Sequence, residues 1–282
     1  TERVQKAQAR ASAAQQAAQG EMMGAVGTAT ATAAPIVQAV RKWNEYEDVL
    51  TDIGIKADLS GAKLAALGAR IRAQSRAVNT SSVDLLKGFD QLMTGGLSVD
   101  IAEKIAVPLA KATVATKSKL EDLSKSAVSL VKNLKVLPGE VSAALDVMAQ
   151  SGKEGQFELR DMARYFPKLG AQYEGMGQSG VKAVADLAAM LQIVRGATGS
   201  AEGAAAGLED LLNKNTLGPA RKKFEELGVD ITTMMETAMK SGTVMETLYA
   251  ALQKATGGDT NKLKEIFGDK QALTAARALM QH

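Results

Sequence analysis

The sequence predicts an all-α protein, a compact array of short helices preceded by an Ala-rich, coiled-coil-like segment. Three observations carry this. The 282 residues are rich in Ala, Lys and Leu and only 4% aromatic, so helix formers dominate and strand formers are scarce. Apolar residues recur at three- and four-residue steps along most of the chain, and no alternation of strand type runs beyond a few residues. Gly, Pro, Ser and Thr stand at the ends of these periodic runs, where helix boundaries need them.

In order, residues 1–20 repeat Val4, Ala7, Ala11, Ala14 and Ala18, a heptad seam of small residues suited to close helix pairing and self-association. Residues 21–42 form a hinge-like segment in which Met22 to Val40 carries no charge. That run approaches the roughly 20 residues that span a bilayer. Its Gly, Ala and Thr content and Pro35 make a buried or lumen-lining hinge the leading expectation, and a membrane-inserting, channel-forming module for DNA translocation across the inner membrane of a host the alternative.

Residues 43–282 are expected to form the helical core domain. A helix from Trp43 should end or bend at Gly54, and a second runs from Ser60 to Val78. Ser81 or Ser82 caps a third, which stops at Gly95-Gly96; Ser98 starts a fourth, split or kinked by Pro108. Ser118 to Glu121 and Thr243 to Glu246 fit capping boxes. Pro138 opens a helix carrying Val141, Leu145 and Met148 inward, followed by a surface turn at Ser151 to Gly155 and a short helix stopped at Pro167. Phe157, Tyr165 and Phe166 gather there in a chain with so few rings, so they are expected to be a packing centre. The run from Val181 to Val194, with Leu187 and Leu191, is the most apolar and should be the most buried helix. Further helices follow to the C-terminus, with ends at Gly228 and Phe267-Gly268.

Little of this suggests chemistry. There is no cysteine, and the only histidine is His282, which removes thiolate and His-based metal sites and His acid–base catalysis. A net charge of +3, spread evenly, does not make a nucleic-acid face. Gly175-x-Gly-x-x-Gly180 has dinucleotide spacing but no preceding strand, so no cofactor is expected. Glu154 with Glu158, or Glu225 with Glu226, could pair as glycosidase carboxylates, but they lie on solvated, mixed-charge faces. Lys153, Arg160, Arg164 and Lys168 are expected to pair with Glu154, Glu158 and Asp161 along the helix. The chain begins at Thr1 and ends inside a helical pattern, so it is expected to be an excerpt of a longer protein.

The order of several short motifs is similar to that of the phage tail tape measure protein family. They are Glu45-Tyr-Glu-Asp48 with Gly54, Gly95-Gly-Leu-Ser98, Ala143-Ala-Leu-Asp146 with Gly152, and Phe157-Glu-Leu-Arg-Asp-Met162 before Pro167 and Leu169-Gly170. Gly196 with Ser200-Ala-Glu202, Leu227-Gly-Val-Asp230 and Phe267-Gly268 extend the set over Trp43 to Leu279. The resemblance implies a structural role without catalysis, in the tail lumen or tip, in length determination, assembly and genome ejection. It implies a homo-oligomer, preferably a trimer, meeting tail tube proteins, tip or baseplate hub proteins and assembly chaperones. In some members the host inner membrane is involved, with DNA passing unread. The host cytoplasm is the implied place of assembly. A long coiled-coil ruler is missing here, so the resemblance implies a plug, hub or delivery module.

Overall fold

Periodicity of 3.6 residues, repeated from one end to the other, can be satisfied only by burying one stripe of each helix against others. The computed structural model describes residues 33–216 and 218–281, and every regular element among them is helical. The seam at Val4, Ala7, Ala11, Ala14 and Ala18 lies outside the described residues, as does Met22 to Thr32 of the uncharged run. The chain divides into two compact units, Thr1–Asp48 and Val49–His282. Helix α1 (Ala33–Lys56) begins in the first and ends in the second.

The second unit continues with α2 (Gly61–Ala77), α3 (Ser82–Thr94), α4 (Val99–Thr116) and α5 (Leu120–Lys132). A 3₁₀ turn at Pro138–Glu140 leads into α6 (Val141–Glu154), then α7 (Leu159–Gly175), α8 (Gly180–Thr198) and α9 (Ala201–Thr216). The C-terminal elements are α10 (Gly218–Glu226), α11 (Ile231–Ser241), α12 (Val244–Thr256), α13 (Leu263–Ile266) and α14 (Lys270–Gln281).

Two helices organise the unit. Helix α5 packs between α3 and α7, and α8 packs against α6, α9 and α14. The inner face of α5 is made of small residues, with Ser124, Ser126, Ala127 and Ser129 buried beside Leu123 and Leu130. Small side chains let neighbouring backbones come close, and glycines meet them there: a Cβ on Gly170 of α7 would sit 2.9 Å from Ser129 Oγ. Helix α8 contributes Ala183, Val184, Leu187, Ala188, Met190, Leu191 and Val194 to the core, with Leu187 and Leu191 fully buried.

Several boundaries differ from the sequence expectation. Neither Pro108 nor Pro167 ends its helix; both lie inside, in α4 and α7. An interior proline costs about 3 kcal/mol. Each is flanked by buried residues, Ile105, Ala106, Leu109 and Ala110 in α4, and Ala163, Phe166, Leu169 and Gly170 in α7. Burying a Leu, Ile or Phe contributes about 1.5–3 kcal/mol each, which outweighs the local penalty. Gly54 likewise stays inside α1, because a Cβ there would lie 2.9 Å from the Leu59 carbonyl oxygen and 2.8 Å from a Leu64 methyl. Ser151 to Glu154 is the last turn of α6, so the expected turn moves to the residues after it.

The two capping boxes do not form. Ser118 Oγ is buried at 2.8 Å from Thr116 Oγ1, Lys119 takes the cap position, and Glu121 pairs with Lys125 at 2.7 Å. Thr243 Oγ1 pairs with Ser241 Oγ at 2.8 Å. Capping falls instead to Ser98, Asp230 and Asp269, whose oxygens accept from the amides of Ile101, Thr233 and Ala272. Replacing Asp269 with Ala leaves first-turn amides of α14 without that acceptor, so a loss of about 1 kcal/mol is expected in urea unfolding. An unchanged midpoint would show that water replaces this cap at no cost.

Candidate functional site

The aromatic-bearing stretch runs from the end of α6 into α7. Phe157 and Phe166 are fully buried. Tyr165 is only half-buried, which corrects its placement in the core: its ring meets Phe157 edge-on, with centroids 6.0 Å apart, at the margin of the packed rings. Burial and the nearby Glu202 and Asp161 carboxylates push its hydroxyl above its ordinary pKa.

A glutamine holds this stretch. Gln192 of α8 accepts from the Phe157 amide at 2.9 Å through Oε1 and donates through Nε2 to the Phe157 carbonyl at 2.7 Å. Gly155 lies so close that any Cβ there would collide with the Gln192 carboxamide. Beside this lock, α6 and α8 leave a shallow groove of about 670 Å³, with Val147, Ala185, Ala189 and Ile193 along it and Asp146 and Glu154 at its rim. Nothing in the sequence pattern singles out Gln192, because its partner is a backbone 35 residues away.

Two of the charged residues of the stretch pair across helices and a third pairs locally. Arg164 reaches Asp122 of α5 at 3.7 Å, Lys168 reaches Glu209 of α9 at 2.7 Å, and Arg160 meets Glu158 at 3.0 Å. The expected pairing along the helix is corrected for Arg164 and Lys168, to which packed neighbours bring carboxylates, while Arg160 does pair with the adjacent Glu158. Glu154 accepts from Gln150 at 2.6 Å and Glu226 meets Lys223 at 2.6 Å, so the carboxylates weighed as acid–base pairs are engaged by their own neighbours. Gly177 and Gly180 turn the chain between α7 and α8 with positive φ, and no strand precedes them. Among the described residues no group of His, Cys, Asp or Glu could hold a metal ion.

A second cluster joins three helices. Asp186 of α8 is 7% exposed; its Oδ2 lies 2.7 Å from Lys182 Nζ and accepts a long, 3.5 Å bond from the Tyr173 hydroxyl of α7. Lys182 Nζ also meets Glu246 of α12 at 3.3 Å. Hydrogen bonding to Asp186 raises the Lys182 pKa, and the Glu246 carboxyl is lowered, first by a backbone amide and then by Lys182. Burial first, then the Asp186 and Glu246 charges, push the Tyr173 hydroxyl far up. A group raised on folding stabilises the fold below its unfolded pKa and loses that contribution as pH rises. An unfolded tyrosine ionises near about 10, so the melting temperature should fall more steeply above that pH in the native chain than in Tyr173→Phe. Parallel melting curves would deny Tyr173 this role. The cluster acts as a strut, tying α7, α8 and α12 together through charge-assisted contacts.

Residues 68–268 match the family described as phage-related minor tail protein. The chain belongs to this family. The minor tail protein match begins inside α2 and ends before α14, so it covers the α5-centred packing and α8 with its α6 and α9 neighbours, and leaves α1 and α14 outside. The chain is also 28% identical over 223 residues to a probable tape measure protein of Burkholderia phage BcepMu, covering 79% of this chain. It spans about a quarter of that relative's length, 26%. No solved structure matches the chain. The family and this relative bear out the tape measure resemblance read from the ordered motifs. As a member of this family the chain is related to structural components of phage tails. Among the described residues no helix is long and apolar enough to cross a membrane.

Proposed function

We propose that this chain is a folded module of a tape measure protein, seated in the lumen or tip of the tail tube and released through the tip when the genome is ejected. The observation that carries this is the similarity to a protein named as a tape measure protein over most of the chain. The packing is in keeping with it. A helix rises about 1.5 Å per residue, so the helices among the described residues, 24 residues at most, cannot by themselves measure a tail. The module therefore acts as plug, hub or delivery piece attached to a longer ruler.

Its chemistry is packing and unpacking without catalysis. Helix contacts through Ser124, Ser126, Ala127, Gly88 and Gly170 bury little area per residue. Such contacts separate at lower cost than a ring-filled core, which suits passage through a narrow tube. Its partners are further copies of itself, with a trimer as the preferred number, together with tube and tip proteins and assembly chaperones. DNA passes without base recognition, since the net charge is only +3.

Removing the coding region for residues 49–282 from the phage should yield no tails of normal length, or tails that fail to eject. A density map of the intact tail should show the module inside the tube or at the tip. A position outside the lumen and away from the tip would refute the assignment.

A further inference from the structure

Helix α1 carries an apolar heptad stripe: Ile36, Ala39, Trp43, Tyr46, Leu50 and Ile53 occupy successive a and d positions. Its later members, Tyr46, Leu50 and Ile53, are 2%, 6% and 0% exposed. Its earlier members face water: Ile36 is 59% exposed, Trp43 is 54% exposed, and Ala39 between them is exposed too. The Trp43 ring stacks on Tyr46 with centroids 5.9 Å apart, so it is held on the stripe. A lone exposed apolar residue is ordinary. Two large ones a heptad apart, on a stripe whose other half is covered, form the pattern of a helix seam.

The flanks say what fits. With Ile36 and Trp43 at a, Lys42 falls at g and Glu47 at the following e. In a parallel, in-register pair each g side chain lies beside the e side chain five residues on in the other helix. Lys42 of each chain therefore meets Glu47 of a neighbouring copy. An antiparallel pair sets g against g and loses this match. Arg41, Asn44 and Glu45 lie on the outer positions, where charge is solvated.

We propose that α1 of a second copy of this chain covers the stripe, parallel and in register, with Ile36, Ala39 and Trp43 at the seam and Lys42 beside Glu47. The proposal rests on the self-association in the function above and gives it a place. It adds a contact site outside the region matched to the minor tail family.

The chain has no cysteine, so single thiols report neighbours cleanly. In the full 282-residue chain, Ala39→Cys should form a disulfide-linked dimer under dissolved oxygen, while Gln38→Cys on the outer face should not. By sedimentation, Lys42→Glu should weaken association about tenfold, and Lys42→Glu with Glu47→Lys should restore it. Trp43→Glu should give a monomer with unchanged far-ultraviolet dichroism. A native chain that is monomeric at all concentrations overturns the proposal, as does association that survives Trp43→Glu without Ala39→Cys cross-linking. The location of the module in the tail is read separately by electron microscopy, so a wrong interface and a wrong function give different results.

Discussion

Phe166→Ala is expected to lower the unfolding free energy by about 3–5 kcal/mol, a large part of the roughly 5–15 kcal/mol that holds a typical domain together. Phe166 is fully buried on α7, immediately before Pro167. Its backbone carbonyl also accepts from Ser129 of α5 at 3.4 Å, where the two helices run closest. Truncation leaves a ring-sized cavity and removes part of the burial that keeps α7 helical through the proline. Urea unfolding measures the size of the loss, and amide exchange measures its place: protection should drop most across residues 163–171. A loss below about 1 kcal/mol would mean that neighbouring side chains collapse into the space, and that Phe166 is not what holds the helix together here.

The second large effect is expected at the lock between α6 and α8. Gln192→Ala leaves the Phe157 amide and carbonyl without their partners, and each unsatisfied half-buried group costs about 1–3 kcal/mol. A loss of about 2–6 kcal/mol follows. Gly155→Val should cost a similar amount by a different route, because its side chain would occupy the space of the Gln192 carboxamide and push it off Phe157. The two changes break one device, so Gly155→Val with Gln192→Ala should cost clearly less than the sum. A coupling of about 1–2 kcal/mol in a double-mutant cycle is the expected result. Additive losses would show that Gly155 and Gln192 act separately.

Much of the architecture was legible from residue order. The stripe Leu123, Ala127 and Leu130 in α5, and Val184, Leu187 and Leu191 in α8, are visible as periodicity and are buried. Helix ends marked by glycine with positive φ, as at Gly228 and Gly242, are visible for the same local reason. Tyr165, expected in the core with Phe157 and Phe166, is only half-buried, because which side of α7 its neighbours cover is decided by the packing of other helices. Asp186 and Gln192 gave no local signal at all. Each has a partner on another helix, and no spacing within α8 reveals a carboxylate under Tyr173 or a carboxamide against the Phe157 backbone.

By itself, the sequence determined the helical class, the membership in a tail protein family and the absence of thiol or internal histidine chemistry, since composition, periodicity and motif order are properties of the chain alone. The tertiary structure alone decided that α4 and α7 run through Pro108 and Pro167, that Arg164 and Lys168 reach other helices, and that the half of the α1 stripe bearing Ile36 and Trp43 stays open to solvent. In each case a local preference worth about 3 kcal/mol or less competes with burial and pairing that exist only once distant segments meet.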